Sequence, residues 1–305
     1  MATSLTSPGI VRAGDKAIIA ARQALEKISL FATDFSADAV LPGTTLKLPV
    51  FSGSASSFDP SNSHGYNDAE GAIKWAAIGF DTHKKCTFGL TDKDKLLVDT
   101  DPFWPKAGEA AGQAVAIELV KAATGCLVYT AATQITSWSV SLANMAALRA
   151  SCATNKLDPA RCVVILEPES YAALLALLPA NVIGDGSAIT SGIIKGLYGF
   201  KAVIEGTTIS KQSGVADSTP VNKGVGFIVP EDALMVAGRV IVPQEGVCEQ
   251  FETTTDEVTG LTLGHRVTVD QNTGSRYYTV EAVLGAALSL QSSNGAPKFL
   301  QLVTA

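Results

Sequence analysis

The fold of this chain is decided by residues 161–171, which read Arg161-Cys162-Val163-Val164-Ile165-Leu166-Glu167-Pro168-Glu169-Ser170-Tyr171. The apolar run predicts a strand over 161–166. Pro168 suits the first turn of a helix, so a helix is predicted over 168–178, and Pro179 ends it. A strand followed directly by a helix is the repeating element of an α/β unit.

The neighbouring sequence continues the alternation of helix and strand. A helix is predicted over 139–155, a short helical piece over 191–197, and strands over 202–204 and 224–229, with a Gly/Ser/Thr loop over 206–214. Residues 137–237 are therefore expected to form a compact α/β unit.

Before this unit, the chain predicts a long helix and an extended pair of strands. The helix covers 106–124 and ends at Gly125, and it would span roughly 28 Å. After Pro42-Gly43, Leu46 and Leu48 alternate with polar residues, which predicts a strand. Residues 52–71 are rich in Ser, Asn, Asp, Gly and Pro, and the chain returns over 73–90. A hairpin of this size is marginal in water, so it needs a surface outside itself.

The two ends of the sequence differ in character. Residues 1–36 begin with a loosely patterned stretch and continue into a helix over 15–31, and we interpret them as an arm that lies across a neighbouring molecule. The C-terminal part predicts strands over 240–243, 266–270 and 276–284, with a turn at Asn272-Thr273-Gly274 that places Val267 and Val269 opposite the last of these strands.

Composition limits the possible functions. The 305 residues are enough for one large or two closely packed domains, and the net charge of -6 disfavours a dedicated nucleic-acid reader. Charged residues make up 17% of the chain, below the usual value of about 25%, so much of the surface is expected to be covered. The longest uncharged run, 122–148, contains too many polar residues for a membrane span, and no secretion signal is recognised. An intracellular protein is expected, whose partner is another protein or a second copy of itself.

Residues that could carry catalysis are few and scattered. The three histidines, His64, His83 and His265, are expected at turns or on the surface, without a catalytic role. The cysteines are expected to be reduced and buried; they are Cys86, Cys126, Cys152, Cys162 and Cys248. No catalytic, cofactor or metal site is predicted. A hydrolase that uses Cys152 or Cys162 with a distant histidine stays open as an alternative.

Acidic residues form two clusters. The first, around Asp92 and Asp94, lacks the glycine and glutamate of a calcium loop and is interpreted as a solvated connector. The second has no basic residue, and an exposed strand face is expected, with contact to a basic patch on a neighbour as the alternative; it consists of Glu245, Glu249, Glu252, Asp256 and Glu257.

The order of these elements resembles the HK97-type major capsid proteins of tailed bacteriophages. Four segments carry the resemblance, at 31–38 (Phe-Ala-Thr-Asp-Phe-Ser-Ala-Asp), 42–50 (Pro-Gly-Thr-Thr-Leu-Lys-Leu-Pro-Val), 86–92 (Cys-Thr-Phe-Gly-Leu-Thr-Asp) and 163–171. A fifth, 192–204, looks like the short helix and strand of that family and contains Leu197-Tyr198-Gly199-Phe200-Lys201-Ala202-Val203.

The resemblance implies an α+β fold with defined parts. These are an N-terminal arm at 1–36, an α/β axial domain at 137–237, and a peripheral domain made of 37–136 and 238–305, which includes an extended β-hairpin loop at 44–91 and a spine helix at 106–124.

The resemblance also implies a function without an active site. The chain would assemble through hexamers and pentamers into an icosahedral shell that encloses double-stranded DNA without sequence-specific binding. It would assemble in the host cytoplasm and reside in the virion, without membrane contact. A separate scaffolding protein, a portal and decoration proteins are possible partners. No local motif identifies a lysine and asparagine pair for covalent cross-linking. An encapsulin-like compartment shell and a phage tail or fibre component remain alternatives.

Overall fold

The computed structural model describes residues 7–34, 36, 45–53, 71–80, 82–91, 93, 100–127, 134–135, 137–178, 191–206, 212–213, 223–231, 233–257, 259–288 and 299–303. The helices in this part of the chain are α1 (Ser7–Ser29), α2 (Thr100–Thr124), α3 (Leu142–Thr154) and α4 (Pro168–Leu177). Two short 3-10 segments, Pro159–Arg161 and Leu197–Gly199, lie beside strands of the α/β unit.

The strands fall into three sheets. In chain order they are β1 (Ala32–Asp34), β2 (Leu46–Gly53), β3 (Gly71–Ile78), β4 (Thr82–Leu90), β5 (Gln134–Ile135), β6 (Cys162–Leu166), β7 (Ile193–Lys195), β8 (Ala202–Glu205), β9 (Gln212–Ser213), β10 (Lys223–Pro230), β11 (Leu234–Arg239), β12 (Gln250–Thr255), β13 (Thr262–Asp270), β14 (Ser275–Leu288) and β15 (Leu300–Val303). The sheets have six, seven and two strands.

The six-stranded sheet is built around β14. Its order is β1-β11-β14-β13-β12, and β4 also pairs with β14. The predicted turn at 272–274 is confirmed, because β13 and β14 are antiparallel with Val267 opposite Tyr278. β14 is long enough to pair with β13 over its first half and with β11 over its second half.

The seven-stranded sheet carries the α/β unit. Its order is β5-β15-β10-β6-β8-β7, and β9 also pairs with β10. All five residues of β6 are buried because both faces of this strand are covered. Val163 and Ile165 face the core beneath α1 and α2. Val164 and Leu166 face a second core, which α3 and α4 cover. This double burial explains the continuous apolar run of the sequence.

Four predictions about local structure are wrong. Residues 193–195 form strand β7 instead of a helical piece, and residues 240–243 are not a strand, because β11 already ends at Arg239. α2 begins at Thr100, six residues earlier than predicted, and includes Pro105 within its first turns. α1 begins at Ser7, eight residues before the predicted start at residue 15.

The predicted domain boundaries, between residues 136 and 137 and between residues 237 and 238, do not coincide with the division of the strands between the two large sheets. β11 pairs with β1 and β14, so residues 234–237 lie in the six-stranded sheet, outside the α/β unit. β15 pairs with β10 and β5, so residues 300–303 complete the seven-stranded sheet. The reason is that strand pairing here joins segments far apart in sequence, which local patterns do not report.

Candidate assembly surfaces

A two-stranded hairpin projects from the six-stranded sheet. β2 and β3 pair from Leu46 opposite Ile78 to Gly53 opposite Gly71. The expected tip, 54–70, lies outside the described residues. The predicted return over 73–90 is too long: residues 82–90 form β4, which pairs with β14 from Leu90 opposite Arg276 to Thr82 opposite Leu284. The polar residues 82–85 belong to β4, along which half-buried and exposed residues alternate.

The two faces of the hairpin have different environments. On one face, Ile78 is buried against Met235 and Ala237, and the half-buried Leu46 and Leu48 lie beside them. The guanidinium of Arg239 lies 4.3 Å from the ring centre of Phe80, at the base of the hairpin. These contacts fix the hairpin to its own sheet.

The opposite face of the hairpin is uncovered. Lys47, Pro49, Trp75 and Ala77 are exposed there, and Pro49 stands directly opposite Trp75 in the strand pairing. The Trp75 side chain is 66% exposed, which is unusual for a residue whose ring usually contributes to cores and interfaces. We call this surface the hairpin face.

Helix α1 belongs to the core of its own chain, which corrects the expectation that residues 1–36 lie across a neighbouring molecule as an arm. Ala13, Ala17 and Ala21 are fully buried. A Cβ atom on Gly108 of α2 would lie 2.2 Å from the carbonyl oxygen of Ala13, and one on Gly112 would lie 2.2 Å from that of Ala17. Small residues four positions apart on both helices therefore permit a backbone-to-backbone approach. Residues 1–6 lie outside the described part of the chain.

Polar contacts attach α1 to both large sheets. Arg22 donates from Nε and Nη2 to Asp256 Oδ1 at 2.9 and 2.6 Å, next to the six-stranded sheet. Lys27 Nζ donates to the carbonyl oxygen of Glu205 in β8 at 3.2 Å, and Lys201 Nζ donates to that of Leu30 at 2.9 Å. α1 thus joins the six-stranded sheet to the α/β unit.

The acidic stretch at 245–257 is only partly an exposed face. Asp256 is buried, contrary to expectation, because Arg22 and Thr259 satisfy its carboxylate. Burial raises the pKa of Asp256, but the hydrogen bonds from Thr259 and Arg22 outweigh it and hold the pKa below its ordinary value. Glu249 accepts a hydrogen bond from Arg276 at 3.3 Å, and Glu245 and Glu257 are exposed.

The described histidines both lie on the six-stranded sheet. His265 is buried, contrary to the expected surface position, and its Nδ1 lies 3.0 Å from the hydroxyl of Tyr278. Burial lowers the pKa of His265 to about 4, so the ring is neutral at pH 7. His83 Nε2 lies 3.1 Å from Glu281 Oε2, and burial, Arg266 and Lys85 lower the pKa of His83. His64 lies outside the described residues.

The cysteines of the hydrolase alternative are not placed beside either of these histidines. Cys152 and Cys162 are both buried in the core between the seven-stranded sheet and helices α3 and α4. The side chain of Cys162 hydrogen-bonds that of Cys152 and lowers the pKa of Cys152, while burial opposes the shift. All five cysteines are free thiols; Cys86, Cys126 and Cys248 are half-buried instead of buried.

The described ranges contain no group of three or more His, Cys, Asp or Glu side chains arranged to hold a metal ion. None of the helices described above is long and apolar enough to span a membrane. A cavity of about 530 Å³ lies between α1, α2 and β8. Its charged lining residues are Glu26, Lys27 and Glu205, and Lys27 forms an ion pair with Glu205.

No protein-family model matches the chain, and no curated protein sequence matches it. Solved structures do match. The capsid of Ralstonia phage GP4 is similar with a TM-score of 0.59 and 8% identity, and the match covers 90% of this chain and 86% of that chain.

Two further solved structures match over the same share of each chain. The head structure of Helicobacter pylori bacteriophage KHP40 gives a TM-score of 0.54 with 10% identity, and the capsid structure of Cyanophage P-SCSP1u gives 0.52 with 13% identity. Each covers 90% of this chain and 86% of that chain. The chain therefore shares the fold of these phage structures over nearly its whole length, which confirms the predicted α+β, HK97-like fold with its hairpin and long helix.

Proposed function

We propose that this chain is the major capsid protein of a tailed bacteriophage and assembles through hexamers and pentamers into an icosahedral shell. The observation that carries the proposal is the likeness in fold to phage capsid and head structures over 90% of the chain. An exposed, fixed hairpin and a low content of charged residues support it, since both leave surface for contacts between copies.

Assembly would proceed through heterologous contacts, in which one surface of a copy meets a different surface of the next. Such contacts close into rings when the rotation between copies allows it. Each copy would then contribute its hairpin to the neighbour on one side and receive the hairpin of the neighbour on its other side. Several modest contacts per copy give a stable shell because, after the first contact, the others form at a high effective concentration.

The two large sheets would have different places in a ring. In this proposal the α/β unit, completed by β15, lies around the ring axis, and the six-stranded sheet with α2 lies at the periphery. The contacts of α1 with both sheets support a rigid subunit in which the two parts keep a constant angle.

The contents and partners of the shell are also proposed. The shell would enclose double-stranded DNA without sequence-specific binding, and the net charge of -6 is consistent with a wall that does not grip phosphates. A separate scaffolding protein, a portal and decoration proteins would take part, with assembly in the host cytoplasm and final residence in the virion.

The proposed protein is structural and has no catalytic role. The placement of Cys152 and Cys162 against each other in one core, with His83 and His265 on the other large sheet, supports this view over a cysteine hydrolase. A nucleophilic cysteine requires a base within hydrogen-bond reach.

The purified protein, imaged by negative-stain electron microscopy with and without a co-expressed scaffold candidate, tests the proposal. Closed particles of uniform diameter are expected. Discrete dimers or trimers under both conditions would overturn it. Particles that carry a protein cargo in place of DNA after production in their native host would favour an encapsulin-like compartment.

A further inference from the structure

Two thiols meet inside the α/β unit. Cys152 lies on the buried side of α3 together with Met145 and Leu148, and Cys162 is the first residue of β6. Cys152 is 0% exposed and Cys162 is 1% exposed, and both belong to the same apolar core. The thiol of Cys162 is hydrogen-bonded to that of Cys152. The two sulfur atoms are therefore in direct contact, away from solvent.

The backbone holds both cysteines in place. The carbonyl oxygen of Cys152 accepts a hydrogen bond from the N–H of Leu157 at 2.9 Å, just after the end of α3. The carbonyl oxygen of Cys162 accepts one from the N–H of Lys201 at 3.0 Å, and the N–H of Cys162 donates to the carbonyl oxygen of Pro159. Neither contact of the two thiols thus depends on a mobile segment, and only side-chain rotation is needed to bring the sulfur atoms to the bond length of about 2.05 Å.

The surroundings favour reaction of these two thiols with each other. The thiolate is the reactive form of cysteine, and the hydrogen bond from Cys162 lowers the pKa of Cys152 although burial opposes the shift. Cys86 and Cys126 pack against the other large core, beneath α1 and α2. Because the pair is buried, thiols of other molecules are kept away from an oxidised Cys152, while Cys162 already lies against it.

We propose that Cys152 and Cys162 form a redox pair, in which a peroxide joins the two thiols in a disulfide that ties α3 to β6. The Cys152 thiolate attacks one oxygen of hydrogen peroxide, the O–O bond breaks, hydroxide leaves, and Cys152 becomes a sulfenic acid. The sulfur of Cys162 then attacks the sulfur of Cys152, so that the S–S bond forms and the S–O bond breaks. In sum, two thiols and one hydrogen peroxide give one disulfide and two water molecules.

The redox state of the pair follows its surroundings. Inside a cell, glutathione and thioredoxin keep both thiols reduced, whereas a disulfide persists in an oxidising medium. The proposed function adds the occasion: a subunit made in the cytoplasm and released in a virion passes from the first condition to the second. This timing rests on the proposed function, but the disulfide itself does not.

Oxidation of dissociated subunits tests the pair. Hydrogen peroxide is the probe because so small a molecule reaches buried sulfur atoms through local opening. Trypsin places Cys152 in the peptide 150–156 and Cys162 in the peptide 162–195. After oxidation, alkylation of free thiols and digestion without reductant, mass spectrometry is expected to find these two peptides joined and lighter by two hydrogen atoms. Dithiothreitol is expected to separate them again.

Thermal unfolding measures the effect of the bond. Oxidation is expected to raise the melting temperature of the unmodified subunit by about 5 °C, because the cross-link restricts the unfolded chain. Cys152→Ser and Cys162→Ser are each expected to abolish both the joined peptides and the rise. Cys126→Ser, which keeps the pair, is the matched control and is expected to show the full rise.

The outcomes separate the redox pair from the proposed function. If peroxide leaves the peptides 150–156 and 162–195 unjoined in the unmodified subunit, whether alkylated or oxidised to sulfinic acids, the redox pair is wrong and the capsid function stands. Failure of the unmodified protein to form shells overturns the capsid function. Joined peptides in the same protein would then still support the redox pair.

Discussion

At the residue scale, His265 makes stability depend on pH. Its pKa falls from the ordinary value of 6.5 to about 4 because burial disfavours the charged ring. A pKa lowered on folding stabilises the folded protein above pH 6.5, and this stabilisation is lost as the pH falls from 6.5 to 4. The loss over this range is about 3 kcal/mol.

The variant His265→Gln removes this titration. The free energy of unfolding of the unmodified subunit, minus that of the variant, is therefore expected to fall by about 3 kcal/mol as the pH is lowered from 7 to 4. Urea unfolding of dissociated subunits at several pH values measures it. A difference that stays constant over this range would show that the ring is not buried in the neutral state.

Asp256 is the second residue whose burial has a measurable consequence. Arg22→Ala leaves its carboxylate buried without an ionic partner, and the free energy of unfolding at pH 7 is expected to fall by about 2 kcal/mol. Because the folded pKa lies below 3.8, the contribution of Arg22 is present above pH 3.8 and disappears as the pH falls further. Lys16→Ala, on the exposed side of the same helix, is the control and is expected to change stability by less than about 0.5 kcal/mol.

At the element scale, the close crossing of α1 and α2 reverses the usual effect of a Gly→Ala substitution on the stability of a helical protein. Gly→Ala inside a helix normally stabilises it by about 1 kcal/mol. Gly112→Ala is expected to destabilise the protein by about 2 kcal/mol or more, because the new Cβ would meet the carbonyl oxygen of Ala17. Gln113→Ala, exposed on the next position, is the control. Thermal unfolding of both variants measures the change, and a raised melting temperature for Gly112→Ala would contradict the close crossing.

Trp75 gives the corresponding prediction for the hairpin. Trp75→Ala is expected to raise the critical concentration for assembly by about tenfold or more, because a central aromatic residue often dominates an interface. The stability of the isolated subunit should not change, since the side chain is largely exposed there. Trp75→Phe retains a ring and should recover part of the effect. Equal assembly by all three proteins would show that the hairpin face makes no contact.

Local sequence patterns predict those helices and strands that a few neighbouring residues are enough to specify. β6 and α4 follow from an apolar run and Pro168, and the β13–β14 register follows from the turn at 272–274. The wrong predictions depend on distant partners. Asp256 is buried through an arginine 234 positions away. The alanine positions of α1 do not show that this helix packs against the glycines of α2, because those glycines lie far away in the sequence.

The candidate assembly site was predicted in outline. The sequence predicts an extended pair of strands that needs a surface outside itself, and this expectation agrees with the two-stranded sheet, one face of which is exposed. The sequence does not predict the exposure of Ile241, Val242 and Val247, because the pattern at 240–243 favours a strand. The signal that could have found them is Pro243 followed by Gly246, since proline and glycine mark turns.

At the scale of the whole molecule, the subunit combines a rigid body with surfaces that it does not cover itself. α1 joins both large sheets, while Trp75 and Val242 stay exposed on fixed backbone. Such a subunit gains additional buried area only from other molecules, and copies of itself supply it in a closed shell.

A cryo-electron microscopy reconstruction of assembled particles tests this view most directly. Rings of five and six copies are expected, in which residues 46–53 and 71–78 of every copy cover an adjacent copy. A reconstruction in which this hairpin lies against its own subunit throughout, or particles that are open tubes, would contradict it.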